Sequence, residues 1–278
     1  MGNKKNIIKA SSAQLPELEW YVGNKEVHLL RYYEPEPGIF IAESKNVIDI
    51  ALRQGYEPLS VVCTEKMEKD EILDRVGEAP IYVVDPEDAK KEFGYLLTGG
   101  ISCAMRRKEN FDYKKVLENA KRIVVLEDVE NPTNIGAIFR SAAAFGIDAV
   151  LLSPACVDPF YRRAMRVSVG NALLVPWAYI GSSEARWKEE GIGWLKEEGF
   201  KTVAMALRSD NIRIDDPVLK QKDRLAIIMG NEGQGLAEST INAADYVAKI
   251  PMMNGVDSLN VAVAAGLAMW EITQHRNQ

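Results

Sequence analysis

The residue pattern most able to build a binding site lies in the last fifth of the chain. A continuous apolar run at residues 225–229 predicts a buried strand, and it leads into the glycine-rich turn Gly230-Asn231-Glu232-Gly233-Gln234-Gly235. Glycines adopt positive φ without strain and let a ligand approach the main chain. Because α/β proteins bind ligands at the carboxyl ends of their strands, this turn predicts a small-molecule site built from backbone groups. A tight strand-to-helix turn without a ligand explains the pattern equally well.

The spacing of these glycines does not favour the common nucleotide sites. It reads G-x-x-G-x-G rather than the G-x-G-x-x-G of dinucleotide-binding folds, and it lacks the Lys-Ser or Lys-Thr of a phosphate-binding P-loop. The turn also comes near the end of the chain. A different nucleotide-dependent enzyme is therefore the weaker alternative.

A second segment, residues 250–261, predicts a strand end, an Asn254-Gly255 turn and the start of an apolar helix. Either Asp257 or Ser258 is a suitable N-cap for that helix. Capping does not explain Asn260, a polar residue in the first turn of an otherwise apolar helix. The small apolar residues that follow predict a buried helix, packed in part against another subunit.

A third segment, residues 131–141, places Arg140 on an alanine-rich helix between two uncharged neighbours. A lone arginine in an apolar helix usually pairs with a carboxylate, and the nearby candidates are Glu127, Asp128 and Glu130. The functional alternative is that Arg140 faces an anion such as an RNA phosphate. From this segment alone, the structural ion pair is the favoured interpretation.

The composition describes a globular protein of two domains. The chain has 278 residues, an apolar fraction of 47% and a net charge of −6. The negative charge argues against a protein that coats nucleic acid indiscriminately, yet it allows local basic patches. Such runs occur at Arg106-Arg107-Lys108 and around Arg166, although charge alone favours plain solvated surface.

The remaining reactive residues do not predict a metal site or a histidine-based catalytic centre. The three cysteines, Cys63, Cys103 and Cys156, are widely spaced and are expected to be buried in a reducing compartment. His28 and His275 lie far apart near the two ends. The sequence shows neither a secretory signal nor a membrane-spanning run, so we expect a cytoplasmic protein without a resident metal.

Alternating apolar runs and helical patterns position these segments. Residues 1–118 predict a small α/β domain that follows a loosely held lead-in. Helices are expected at 44–54 and 66–76, and Asp85-Pro86-Glu87-Asp88 is expected to begin another, with the proline near its first turn. Residues 119–278 predict a second domain with strands near 122–126, 149–152, 172–176, 201–206, 225–229 and 247–250. Because continuous apolar strands alternate with helices, we expect a mostly parallel sheet covered on both faces.

Taken in order, the three segments resemble the SpoU family of RNA ribose methyltransferases, the TrmH-like branch of the SPOUT superfamily. Asn134, Gly136 and Arg140 match the first family motif, and the 230–235 turn matches the second. Ile-Pro-Met at 250–252 with Ser-Leu-Asn-Val at 258–261 matches the third. The resemblance covers about residues 119–278.

This resemblance implies an α/β trefoil knot, preceded by a small α/β RNA-binding domain that resembles a ribosomal protein. It also implies a homodimer that transfers a methyl group from S-adenosylmethionine to a ribose 2′-hydroxyl in RNA. Ribosomal RNA is favoured over transfer RNA by analogy with relatives that carry such a domain. The alternatives are a tRNA ribose methyltransferase and a non-catalytic RNA-binding protein that keeps the fold.

The resemblance also assigns roles to individual residues. Arg140 would hold the phosphate beside the target ribose, and Asn134 and Asn260 would position loops or substrate. Ser258 would cap the last helix or touch substrate, and Glu232 would either hold the cofactor loop or act in catalysis. The implied cofactor-binding residues are Gly230, Asn231, Gly233, Ile250, Met252 and Leu259. The implied RNA-binding residues are Arg106, Arg107, Lys108 and Arg166.

Overall fold

The alternation of strands and helices predicted from the sequence is present in a computed structural model of the protein. The structure describes residues 6–9, 16–22, 38–108, 112–208, 211–231 and 233–273. The chain divides into an N-terminal unit, Met1–Glu109 with Asp158–Leu174, and a C-terminal unit, Asn110–Val157 with Val175–Gln278. The division expected from the sequence did not include the excursion of residues 158–174 into the first unit.

The N-terminal unit contains a five-stranded mixed sheet in the order β1-β4-β3-β5-β2. Strands β1, β4 and β3 are parallel, whereas β5 runs antiparallel to both β3 and β2. Its elements are β1 (Ile7–Lys9), β2 (Ile39–Glu43), α1 (Lys45–Arg53), β3 (Pro58–Cys63), β4 (Ile81–Val83), α2 (Pro86–Phe93) and β5 (Ile101–Arg106). A later helix of the chain, α5 (Arg162–Ser168), also belongs to this unit.

Short polar side chains begin several of these turns and helices. The Asp85 carboxylate accepts hydrogen bonds from the backbone N–H groups of Glu87 and Asp88, and Pro86 occupies the first turn of α2, as the sequence predicts. The helix expected over residues 66–76 is instead two short 3-10 turns, Glu65–Met67 and Glu71–Asp74. Asp70 caps the second turn, which interrupts the helical register that periodicity suggested.

The sequence predicts a loosely held lead-in, yet its described parts form regular structure. Ile7–Lys9 pairs with β4, and a 3-10 turn at Pro16–Tyr21 inserts Tyr21 into the core. The Tyr21 hydroxyl donates to the carbonyl oxygen of Ser60 at 2.8 Å and accepts from the N–H of Ala104 at 2.9 Å. Burial raises the pKa of this hydroxyl well above its ordinary value.

Ion pairs hold the 158–174 segment within the N-terminal unit. Arg107 and Asp158, whose side chains are 12% and 17% exposed, form a two-pronged pair at 2.8 and 3.1 Å. The buried Glu43 carboxylate accepts from Arg162 at 2.6 Å, and that guanidinium stacks 3.5 Å from the centre of the Tyr95 ring. Such paired and stacked arginines fix a segment more firmly than lone surface charges do.

The C-terminal unit contains a seven-stranded, entirely parallel sheet in the order β10-β12-β9-β11-β6-β7-β8. Its strands are β6 (Arg122–Leu126), β7 (Ala149–Leu152), β8 (Trp177–Tyr179), β9 (Lys201–Met205), β10 (Ile212–Arg213), β11 (Leu225–Met229) and β12 (Tyr246–Lys249). Its helices are α3 (Tyr113–Leu117), α4 (Pro132–Phe145), α6 (Glu184–Glu197), α7 (Pro217–Lys220), α8 (Glu238–Ala243) and α9 (Val261–Thr273).

The strand predicted at residues 172–176 is wrong. Gly170 has a φ of 79° and begins a 3-10 turn at Asn171–Leu173, so the strand starts only at Trp177. A short apolar run fits a buried turn as well as a strand, and periodicity cannot separate the two. The two-residue β10 and the four-residue α7 are too short to give a periodic signal, and the sequence predicted neither.

The predicted burial of all three cysteines is confirmed, and none forms a disulfide. Burial raises the pKa of the Cys63 thiol to about 11 and that of Cys156 to about 12. Both thiols are therefore poor nucleophiles at neutral pH. His28 and His275 lie outside the described residues. Within the described part of the chain, every helix is too short or too polar to cross a bilayer.

Candidate functional site

The predicted segments meet at the carboxyl edge of the parallel sheet. Strands β6 and β11 are neighbours in that sheet. The next strand along the chain from β6 is β7, which pairs with the side of β6 away from β11, whereas β9 pairs with the side of β11 away from β6. The strand order therefore changes direction between β6 and β11. Glu127, Gly230 and Ile250 follow directly after β6, β11 and β12. A crevice beside such a change of direction is the usual ligand site of a parallel α/β sheet.

The glycine-rich turn is held in shape by its own main chain and by Asn231. A side chain at Gly230 is excluded because its Cβ would lie 2.4 Å from the backbone carbon of Gly235. The Asn231 Oδ1 accepts from the N–H groups of Gly233 at 2.7 Å and Gln234 at 3.3 Å, while its Nδ2 donates to the carbonyl oxygen of Asp128 at 2.9 Å. Asn231 therefore ties the β11 turn to the end of β6. Glu232 lies outside the described residues.

A buried carboxylate that the sequence did not identify as a site residue organises the same edge. Glu127 is 1% exposed and accepts three hydrogen bonds. Its donors are the Trp187 indole N–H at 2.7 Å, the Thr240 hydroxyl at 2.5 Å and the Ala237 backbone N–H at 2.6 Å. These contacts connect β6 to α6 and to the segment that follows the glycine turn. An acidic residue directly after a buried strand is the sequence signal that could have identified it.

The ion pair favoured for Arg140 from its local sequence is wrong for the candidates that the structure describes. Arg140 is exposed on α4 and makes no hydrogen bond or ion pair with a described residue. The proposed partner Glu127 is occupied as above, and Asp128 pairs with Lys188 at 3.0 Å and with the Ser153 hydroxyl at 2.9 Å. Among the described residues, therefore, none occupies the guanidinium of Arg140, which can bind an anion from solution.

The structure brings Asn134 and Asn260 together, 126 residues apart in sequence. The Asn260 Nδ2 donates to the Asn134 Oδ1 at 3.1 Å. The Asn260 Oδ1 also accepts from the N–H groups of Ala262 at 3.0 Å and Val263 at 3.4 Å, so Asn260 caps α9. The cap expected at Asp257 or Ser258 is therefore wrong, and both of those side chains are exposed.

Substitutions at Asn260 separate capping from positioning. Asn260→Ala removes both roles and is expected to lower the free energy of unfolding by about 1 kcal/mol. Asn260→Asp keeps the cap but places a carboxylate against the Asn134 Oδ1, so stability should stay near wild type while activity falls about tenfold. Chemical denaturation and a methyl-transfer assay measure the two effects. Full activity in Asn260→Asp would show that the Asn260–Asn134 hydrogen bond has no positioning role.

The other predicted cofactor residues lie along the irregular segment after β12. Ile250 and Met252 are partly buried, and Leu259 is exposed together with Met253 and Val256. This edge therefore offers two kinds of surface, the main-chain groups of the glycine turn and exposed apolar side chains. Together they suit a ligand that has an apolar body and a polar heterocycle. In the described residues, no cluster of three or more His, Cys, Asp or Glu side chains is arranged to hold a metal ion.

The predicted RNA-binding residues lie in the N-terminal unit, and most have partners within it. Arg106 pairs with Glu57 at 2.6 Å, and Lys108 donates to the Gln54 carbonyl oxygen at 2.6 Å. Arg107 departs furthest from the expected exposed patch, because it is largely buried against Asp158. Arg166 is exposed, and its nearest carboxylate oxygen, on Glu43, is 4.0 Å away.

Comparison with known proteins gives consistent matches. Residues 121–270 match the model of the SpoU rRNA Methylase family. An uncharacterized tRNA/rRNA methyltransferase of Mycobacterium bovis is 37% identical over 85% of this chain and 81% of its own. The 23S rRNA (guanosine-2′-O-)-methyltransferase RlmB of Coxiella burnetii is 31% identical over 64% of this chain and 70% of its own.

A solved structure extends the likeness in fold to nearly the whole chain. The AdoMet-bound rRNA methyltransferase from Sinorhizobium meliloti superimposes with a TM-score of 0.81. The match covers 97% of this chain and 98% of that one, at 22% sequence identity.

Proposed function

Because this chain belongs to the SpoU family of RNA methyltransferases, we propose that it methylates a ribose 2′-hydroxyl of ribosomal RNA, using S-adenosylmethionine, in the cytoplasm. The observation that carries the proposal is the exposed Arg140, unpaired among described residues, on the helix that also holds Asn134 against Asn260. The 2′-hydroxyl is supported by the name of the Coxiella relative, which acts at that position of guanosine in 23S rRNA.

Methyl transfer to a hydroxyl needs an activated oxygen in line with the methyl donor. S-adenosylmethionine supplies, when bound, an electrophilic methyl group on a sulfonium. Arg140 cannot serve as a general base, because a guanidinium stays protonated at physiological pH. Its role is to bind the phosphate beside the target ribose through two parallel N–H donors. The held phosphate oxygen would then accept the hydroxyl proton while the ribose oxygen takes up the methyl group, and the cofactor would leave as a neutral thioether that keeps the electron pair of the broken sulfur–methyl bond.

The cofactor pocket that we propose lies at the carboxyl edge of β11 and β12. Asn231 fixes the shape of the turn. Gly230 and Gly233 would present main chain to the cofactor, and Ile250, Met252 and Leu259 would form the other wall. We propose that this edge is knotted. The family to which the chain belongs supports this proposal, and β11 enters the sheet between β6 and β9, two strands that precede it in the chain.

We propose that residues within 1–118 form a ribosomal-protein-like domain and that the N-terminal unit, which also includes residues 158–174, binds the RNA. Arg106, Lys108 and Arg166 are its proposed phosphate contacts, because all three side chains reach solvent. Arg107 is proposed to have a structural role beneath this surface, because its guanidinium is bound by Asp158.

We propose that two copies pair through α9. Val263, Leu267 and Trp270 are 52%, 44% and 53% exposed, and their spacing places them on one face of the helix. A second copy of the same helix would cover this apolar stripe with a two-fold interface. Leu267→Asp is therefore expected to convert a dimer into a monomer, as measured by sedimentation velocity. The control is Leu96→Asp, the same change at a leucine of the N-terminal unit that is 60% exposed. A wild-type monomer, or a dimer unaffected by Leu267→Asp, would contradict this interface.

Two experiments test the proposed function. S-adenosylmethionine should raise the melting temperature of the protein and NAD should not, since a ligand that binds only the folded state stabilises it. Mapping of 2′-O-methyl positions in total RNA, with and without the gene, should show one position that depends on the gene. An RNA-binding protein without catalytic activity would leave the methylation map unchanged.

A further inference from the structure

A cleft in the N-terminal unit lies where three of its strands end together. Strands β1, β4 and β3 are parallel neighbours, so their carboxyl ends share one edge of the sheet. The cleft beside that edge has a volume of about 670 Å³ and is lined from all three strand ends and from the glycine turn before β5. This volume falls within the roughly 300–1,000 Å³ typical of ligand sites.

The chemistry of the cleft combines an apolar interior with charges at its mouth. Val83, Val84 and Met67 line it with apolar surface, while Lys9 and Lys66 are exposed. Neither lysine makes an ion pair with a described residue. Two acids also line the cleft: Asp85 is occupied as the cap of α2, and Glu65 is exposed.

One wall of the cleft is made of main chain. Gly100 has a φ of 76°, and a Cβ there would lie 2.8 Å from the Thr64 hydroxyl oxygen. The Gly100 carbonyl oxygen accepts from the Thr64 N–H at 2.9 Å, which fixes this wall to the end of β3. A glycine at this position keeps the wall free of side chains and brings a ligand within reach of the backbone.

We infer that this cleft holds one unpaired nucleotide of the RNA substrate. The apolar interior suits the face of a base, and Glu65 with the glycine turn can bond to the edge of that base. Lys9 and Lys66 suit the flanking phosphates. Because both lysines are exposed, the phosphates they hold lie at the surface, where they can belong to a continuous strand rather than to a small metabolite. The inference rests on RNA being the substrate of the proposed function.

Cross-linking tests this inference directly. A single-stranded RNA of about twelve nucleotides containing 4-thiouridine is irradiated with the full-length protein, and cross-linked peptides are identified by mass spectrometry. We expect cross-links within residues 64–67 or 83–86.

Met67→Trp fills the cleft and Lys66→Glu reverses a charge at its mouth, so each should weaken RNA affinity about tenfold. Lys91→Glu, the same charge change on the exposed face of α2 outside the cleft, should leave affinity near wild type.

Other outcomes separate this inference from the proposed function. Wild-type affinity in both cleft variants, with cross-links elsewhere, would overturn the inference even if the protein methylates RNA. Cross-links in the cleft from a protein that methylates no RNA would support the inference and count against the proposed function. Saturable binding of free uridine 5′-monophosphate that Met67→Trp abolishes, with RNA affinity unchanged, would assign the cleft to a small molecule and overturn the inference.

Discussion

Arg140→Ala is expected to lower kcat/KM for RNA methylation by roughly 10³-fold, the scale seen when one charge-stabilising donor is removed from an active site. The side chain is exposed and makes no ion pair with a described residue, so its loss should leave the melting temperature unchanged. Arg140→Lys should also be strongly impaired, because lysine keeps the charge but lacks the planar two-donor geometry that matches a phosphate.

The assay for this prediction combines labelled methyl transfer with calorimetric titration of S-adenosylmethionine. The cofactor should bind the variant as it binds wild type, since Arg140 is assigned to RNA phosphate. Arg186→Ala provides a matched control, because Arg186 is also an exposed helical arginine and its hydrogen-bonded carboxylate partner is Glu190 on the same helix. Near-normal methylation by Arg140→Ala would remove Arg140 from the proposed mechanism.

Glu127→Ala is expected to have the largest effect on stability, lowering the free energy of unfolding by about 4 kcal/mol. The substitution removes the acceptor for three donors in a site that is 1% exposed, so an indole N–H, a hydroxyl and a backbone N–H lose their partner together. It should also loosen the segment after the glycine turn, and S-adenosylmethionine affinity should fall with stability.

A double-mutant cycle shows whether these hydrogen bonds cause the effect. Trp187→Phe keeps most of the buried ring and removes the N–H, and it should cost about 1–2 kcal/mol by chemical denaturation. In that background Glu127→Ala should cost less than it does in wild type. Glu184→Ala, an exposed acid at the start of α6, is the control and should change stability little. Additive effects of the two substitutions would contradict a direct bond between them.

Local patterns in the sequence identify the elements well where burial is continuous. The runs at Arg122–Leu126 and Leu225–Met229 are strands, as predicted, because the buried part of a parallel strand is continuously apolar, and here only Arg122 is neither buried nor apolar. The start of a helix at Asp85-Pro86 can also be predicted from the sequence, because a capping side chain acts within three residues of its own position.

Contacts between residues that are distant in sequence could not be predicted from these local patterns. The Asn260 side chain caps its own helix and also reaches Asn134, and only the folded sheet brings those two positions together. The local sequence equally offered Glu127 as a partner for Arg140, whereas the fold directs that carboxylate to Trp187 on another helix. The excursion of residues 158–174 likewise depends on ion pairs with Arg107 and Glu43, far away in the chain.

The most direct test of the central proposal is the chemical position of the transferred methyl group. Purified protein is incubated with methyl-deuterated S-adenosylmethionine and ribosomal RNA from cells that lack the gene, and the RNA is digested to nucleosides for mass spectrometry. We predict deuterium in one 2′-O-methylnucleoside with wild-type protein, and its loss with Arg140→Ala. Deuterium on a nucleobase, or none in RNA treated with the wild-type protein, would contradict the proposed function.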